Sequence, residues 1–200
     1  MHNVSGDESR WIAQAITGDV EAFGELVRAF ERPVFNLAYR MLGDAAEAED
    51  AAQEAFIKAY TNLHRYDPER SFKTWLLSIT SNHCIDILRK RRLTWLSLDN
   101  EQLPPHPALT SDQPGPEAAA ITQERSMYIQ DMLNGLSQEY RLVVILRYWY
   151  DLSYAEIAEM LETTESAIKS RLFRARQALA QQIDAQEAPH LVAALEGLTP

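Results

Sequence analysis

The chain has 200 residues, 46% of them apolar, with a formal net charge of −10 and a single cysteine, Cys84. That length allows one large domain or two small ones, and a lone cysteine excludes an internal disulfide and suits a reducing compartment. No apolar run approaches membrane-spanning length and the segment Met1 to Arg10 has no apolar signal core, so a soluble, cytoplasmic protein without membrane insertion is expected.

From Glu8 to Leu63 the apolar residues recur at helical spacing. Trp11, Ile12, Ala15 and Ile16 make a short face that ends at Thr17-Gly18. Asp19 can cap a second helix whose stripe runs Phe23, Leu26, Val27, Phe30, Val34, Leu37, Ala38 and Met41 and stops at Gly43; Pro33 inside it is a candidate bend. A third helix is predicted from Ala45 to Leu63, with Ala48, Ala52, Ala55, Phe56, Ala59, Tyr60 and Leu63 inward and Glu47, Asp50, Gln53, Glu54 and Lys58 outward. A polar loop from His64 to Ser71 follows. Ser71 can cap a fourth helix running to the basic block Arg89-Lys90-Arg91-Arg92, a favourable sign of charge for a helix C-terminus.

Residues 93–118 change character, with five prolines, four acidic groups and no basic one. Prolines at that density argue against a regular helix and predict an extended acidic linker. Helical spacing resumes at Glu117. Ser137 can cap a helix over Gln138 to Tyr150, apolar on Leu142, Val143, Ile145, Leu146 and Trp149. The last fifteen or so residues, containing Pro189, Leu191, Val192 and Leu195, are an apolar, acidic tail. The expected fold is all-α: two small helical domains, 1–92 and 119–183, joined by the linker 93–118 and followed by the tail 184–200.

Between them, Ser153 to Ala180 has the most telling local grammar. Ser153 with Glu156 three residues on makes a capping box, and Ile157, Ala158 and Leu161 give a short helix an apolar face. After a Glu-Thr-Thr turn, Thr163 or Thr164 can cap a second helix buried through Ile168, Leu172, Ala175 and Leu179 and basic through Lys169, Arg171, Arg174 and Arg176. A helical hairpin with solvated arginines has the same basic helix; the capping box and short turn favour a DNA-reading helix-turn-helix. The overall acidity matters here. An acidic body repels phosphate, so the chain should hold free DNA weakly and need a partner to stay there.

Two ordered blocks of sequence resemble extracytoplasmic-function sigma factors of bacterial RNA polymerase. Gln53 to Tyr60, Phe72 to Leu76, Asn82, Asp86 and Arg89 to Arg92 resemble their region 2, and Leu152 to Ala158 with Lys169 to Arg176 resemble their region 4; the likeness spans residues 8–92 and 119–182. It implies a protein that binds core RNA polymerase, reads a duplex minus-thirty-five element of promoter DNA with region 4, and opens and captures the minus-ten element with region 2. It implies duplex contacts from Lys169, Ser170 and Phe173 to base edges and from Arg171, Arg174 and Arg176 to phosphates. The family often has Gly-Thr where this chain has Ser166-Ala167, which moves the expected hydroxyl to Ser166. For the opened strand it implies the loop around Arg70, the amide of Asn82, and Arg89, Lys90, Arg91 and Arg92. Trp75 reads better as core than as a stacking platform.

The same resemblance puts polymerase docking on Asp50, Gln53, Glu54, Phe56 and Ile57, and places an anti-sigma factor among the partners. It also suggests that the linker acids Asp99, Glu101, Asp112 and Glu117 lie in a positively charged polymerase channel. A stand-alone repressor or activator would use the same basic helix but would usually dimerise and would not need the Gln53 to Tyr60 face. An enzyme is poorly supported. The one Glu-x-x-His spacing, Glu187 to His190, is interrupted by Pro189, and there is no glycine-rich phosphate loop or nucleophile motif. No metal and no cofactor are expected.

Overall fold

The computed structural model describes residues 4–97 and 116–185, and all regular structure among them is helical. The chain divides into two compact units, with the division between Leu103 and Pro104. The first contains α1 (Val4–Ile16), α2 (Val20–Leu42), α3 (Ala45–Asn62), a 3-10 turn (Leu63–Arg65) and α4 (Phe72–Ser97). The second contains α5 (Pro116–Asn134), α6 (Gln138–Tyr148), α7 (Tyr154–Met160) and α8 (Glu165–Ala185).

Capping residues set the starts. Asp19 accepts from the amides of Glu21 at 2.9 Å and Ala22 at 3.1 Å, and Asp44 accepts from Glu47 N at 2.9 Å. Each satisfies amides that have no partner inside the helix. Gly43 ends α2 in the left-handed region (φ 78°), where it donates to Tyr39 O, a conformation that a side chain would resist. The helix continues through Pro33.

In the first unit α2 is central: α1, α3 and α4 all pack on it, and α3 also packs on α4. Leu26, Val34, Leu37, Ala38 and Met41 are fully buried. The inner side of α3 is almost all methyl groups, with Ala48, Ala51, Ala52, Ala55 and Ala59 buried. Alanines let the two backbones approach closely, and that closeness explains a correction. Tyr60, expected inward, is 43% exposed, because there is no depth for a ring at that interface; it leans instead on Phe23, with centroids 4.9 Å apart. Phe56 is only partly buried. Ile16 is exposed as well, since the chain turns away directly after it through Gly18 (φ 99°).

In the second unit α8 packs on α6 and α7. Val143, Ile145, Leu146, Ile157, Ile168 and Leu172 form its buried centre. Leu161, at the turn, is half-buried. Trp149 is exposed rather than inward: α6 ends at Tyr148, and past that end the buried place goes to Tyr150.

Helix enters both ends of the stretch expected to be extended. Leu93 to Ser97 contain no proline and prolong α4, so the basic block is not at a helix terminus; Pro116 opens α5 at the first helical position, where its missing N–H costs nothing. The linker acids Asp99, Glu101 and Asp112, and the tail from residue 186 with Leu191, Val192 and Leu195, lie outside the described residues.

Candidate nucleic-acid interface

The second unit builds a helix-turn-helix from its local chemistry. The Ser153 amide donates to Glu156 Oε2 at 2.7 Å while Glu156 N donates to Ser153 Oγ at 3.2 Å, the reciprocal capping box. The turn closes when Thr163 N donates to Ala158 O at 2.9 Å, with Glu162 at φ 49°. Of the two candidate threonines, Thr164 starts α8, accepting from Ala167 N at 3.2 Å.

Burial of Ile168, Leu172, Ala175 and Leu179 fixes the rotation of α8. Ser166, Lys169, Ser170, Phe173 and Arg174 are then exposed at i, i+3, i+4, i+7 and i+8, on one side of the helix. Phe173 is 56% exposed, so its ring is presented on that side of the helix. Arg171 and Arg176 are half-buried on the flanks; Arg171 Nε lies 3.6 Å from Glu139 Oε2 of α6. Lys169 Nζ is 3.7 Å from Glu165 Oε2. The Tyr154 ring, which the sequence did not single out, has two cations, Arg147 and Lys169, each within 6 Å of its centroid.

In the first unit, the loop before α4 is held by its own backbone and by aromatic contacts. Tyr66 Oη donates to Arg70 O, and Arg70 N donates to Asp67 O at 3.0 Å. Tyr66, Phe72 and Trp75 meet with centroids 5.2–5.6 Å apart, so Trp75 supports the loop from the edge of the core. Arg70 is exposed beside Asp67, at 3.8 Å. Next to this loop a cleft of about 440 Å³ opens against α1, whose Glu8, Ser9, Ile12, Ala13 and Ile16 form the opposite wall. Burial raises the Glu8 carboxyl above its ordinary range, and Lys73 opposes that. The contribution of α1 was missed by sequence reasoning, because its partner across the cleft lies some fifty residues away in the chain.

Asn82 is exposed on α4, and Asp86 and Arg89 follow it on the same side, 3.8 Å apart. Arg89, Lys90 and Arg92 face solvent, but Arg91 does not share their side. Its guanidinium pairs with Glu47 near the start of α3 and donates from Nη1 to Leu42 O at 3.4 Å. Burial lowers its pKa from the ordinary guanidinium value, opposed by Asp44. Arg91 therefore ties α4 to the α2–α3 corner.

On α3, Asp50, Gln53 and Ile57 are exposed, and Glu54 and Phe56 half-buried. Ile57 is 60% exposed, and Tyr60 extends this apolar strip. Among the described residues no group of three or more His, Cys, Asp or Glu is arranged to hold a metal, and no helix is long and apolar enough to cross a membrane.

Comparisons with known proteins match both units in order. The family described as Sigma-70 region 2 matches residues 26–94, and the one described as Sigma-70, region 4 matches residues 126–179. The ECF RNA polymerase sigma factor SigW of Bacillus subtilis is 39% identical over 177 residues, covering 86% of this chain and 94% of that protein. The RNA polymerase sigma-H factor of Pseudomonas aeruginosa is 31% identical over 166 residues, 81% of this chain and 86% of its own length. Among solved structures, CnrH in complex with the cytosolic domain of CnrY superposes with a TM-score of 0.66 at 26% identity, covering 90% of this chain and 98% of that one.

Proposed function

The chain belongs to the extracytoplasmic-function sigma factors of bacterial RNA polymerase, and from that membership we propose how its residues divide the work of starting transcription. As a sigma factor it binds core RNA polymerase and directs it to particular promoters, reading the minus-thirty-five element as duplex and capturing the opened minus-ten element. We assign docking and the minus-ten element to residues 1–92, the connection to 93–118, the minus-thirty-five element to 119–183, and no role to the tail 184–200.

In the duplex, α8 enters the major groove. Ser166, Lys169, Ser170 and Phe173 meet base edges: the ammonium donates to guanine and the ring covers a thymine methyl. Arg171, Arg174 and Arg176 hold phosphates, which fix register without reading sequence. At the opened strand, Arg70 and the cleft beside it receive an unstacked base, Asn82 offers both a donor and an acceptor to its edge, and Arg89, Lys90 and Arg92 follow the backbone. Arg91 contributes by holding the end of α4 in place. Docking falls to Asp50, Gln53, Glu54, Phe56 and Ile57.

The net charge of −10 fits this division. Polymerase supplies the non-specific attraction for DNA, so the sigma factor needs only enough positive charge to read it. The chain itself catalyses nothing in this reading; nucleotide addition belongs to polymerase, and the chain works beside it in the cytoplasm. An anti-sigma factor is the regulatory partner, a reading supported by the complex of CnrH with the cytosolic domain of CnrY.

The observation that carries this reading is the pair of matches, region 2 and region 4, in one chain and in that order. The test is run-off transcription with core polymerase on a promoter library. Chain-dependent initiation at promoters sharing two spaced elements supports it. Specific duplex binding by the isolated chain, unchanged by core polymerase and without initiation, would replace it with a stand-alone repressor.

A further inference from the structure

Three helices converge on one ring. Tyr154 opens α7 and is half-buried. The Arg147 guanidinium, from α6, lies 5.6 Å from its centroid, and the Lys169 ammonium, from α8, lies 5.7 Å from it. Arg147 is itself held, with Nη1 3.2 Å from Asp151 Oδ1 and donating to Leu152 O at 3.3 Å. Lys169 has one further restraint, Glu165 on its own helix at 3.7 Å.

We propose that Tyr154 is a positioning residue for promoter recognition: its ring, fixed against Arg147, holds the Lys169 ammonium in place before DNA arrives and so sets the base preference at the position Lys169 reads. The inference rests on the reading of α8 as the duplex-reading helix. A lysine has a flexible four-carbon stem and a compact charge, so an unrestrained one samples many positions and donates to several base edges or phosphates nearly equally well. Restraint before binding removes part of that ordering cost and narrows the choice of acceptor. The ring's face attracts the ammonium without neutralising it, leaving its donors for a base. Glu165 alone would not do this, because at 3.7 Å its exposed carboxylate attracts the ammonium without fixing its direction.

The ring is therefore the operative group, and the hydroxyl is not. Tyr154→Phe keeps the ring; Tyr154→Leu removes it while keeping a branched apolar side chain. Holoenzyme reconstituted from core polymerase and the full chain is assayed by run-off transcription on promoters varied one base pair at a time across the upstream element. Lys169→Met identifies the base pair whose preference depends on the ammonium. At that base pair Tyr154→Leu lowers discrimination about two- to fivefold, as expected for a partly exposed cation–ring contact. Tyr154→Phe retains it, preferences elsewhere are unchanged, and Tyr154→Leu adds no loss in the Lys169→Met background.

Full discrimination by the Leu variant, a loss spread evenly over all positions, or an undiminished effect in the Lys169→Met background would each overturn the proposal. Should Leu unfold the unit, Tyr154→His supplies a smaller, weaker ring and is read by the same three criteria. Failure of the wild-type chain to support initiation at any promoter would overturn the functional reading, and this inference with it.

Discussion

The Lys58 ammonium of α3 lies 2.8 Å from Nδ1 of His83 on α4. An ammonium only donates, so Nδ1 must accept and the imidazole is neutral with its proton on Nε2. Burial and then Lys58 push the His83 pKa below its ordinary 6.5; Lys90 pushes the same way, while Glu54 and Asp86 pull back. The unfolded chain then binds this proton more readily than the folded one. Stability from this contact is full above pH 6.5 and is lost as pH falls below it toward the folded pKa. Thermal unfolding of the chain between pH ~7 and ~5 should show a falling midpoint, and His83→Gln, which keeps an acceptor and cannot titrate, should flatten that slope. An equal slope in the variant would remove His83 as its source.

The basic block of α4 should split in two under mutation. Alanine at Arg89, Lys90 or Arg92 leaves the unfolding midpoint in denaturant unchanged, weakens holoenzyme–promoter binding on every sequence, and reduces the salt slope by about one each. Alanine at Arg91 does the reverse, lowering stability by about 1 kcal/mol, the upper end for a pair that remains partly exposed. Denaturant titration and salt-dependent promoter binding measure the two effects independently.

Neighbours on α8 should also diverge. Leu172 is buried and Phe173 is exposed. Leu172→Ala should destabilise the second unit by about 2–4 kcal/mol through the cavity it leaves. Phe173→Ala should leave its melting unchanged and lower discrimination at one base pair of the upstream element by about 1–3 kcal/mol. A Phe173 variant that melts early but reads promoters normally would contradict the placement.

On α3, Ile57→Asp removes an exposed apolar side chain and adds a charge. Competition for core polymerase should detect at least about fivefold weaker binding with the melting curve unchanged. Unaltered competition would move docking off this face.

Cys84 is fully buried, and burial pushes its thiol up to about 12. Only the thiolate reacts readily. Alkylation followed by mass should be negligible on the folded chain at neutral pH and complete in denaturant; rapid labelling of the native protein would contradict the burial of this thiol.

Much of this was legible in the sequence because helix starts are local chemistry. Asp19, Ser137, Ser153 and Thr164 each cap the helix that follows, and each is visible within four residues of sequence. The exposed face of α8 followed from the same spacing that buries Ile168 and Leu172. Contacts between distant segments were not legible. Periodicity put Tyr60 on the inner side of α3, but not how near α2 would come. Nothing local distinguishes Arg91 from the three basic residues beside it; only the fold brings Glu47 within its reach. Glu8 and the wall of the cleft, and the meeting of Tyr154 with Lys169, depend in the same way on helices brought together from separate parts of the chain.

The alanine face of α3 divides that helix into a side that cannot drift and a side that can. Ala48, Ala51, Ala55 and Ala59 are fully buried, so any added carbon there overpacks the interior, at a cost of about 1–3 kcal/mol. On the opposite side, at Asp50, Gln53 and Ile57, replacement disturbs folding by no more than about 0.5 kcal/mol. With polymerase docking proposed for that side, its residues are free to change one by one while the scaffold beneath keeps its stability.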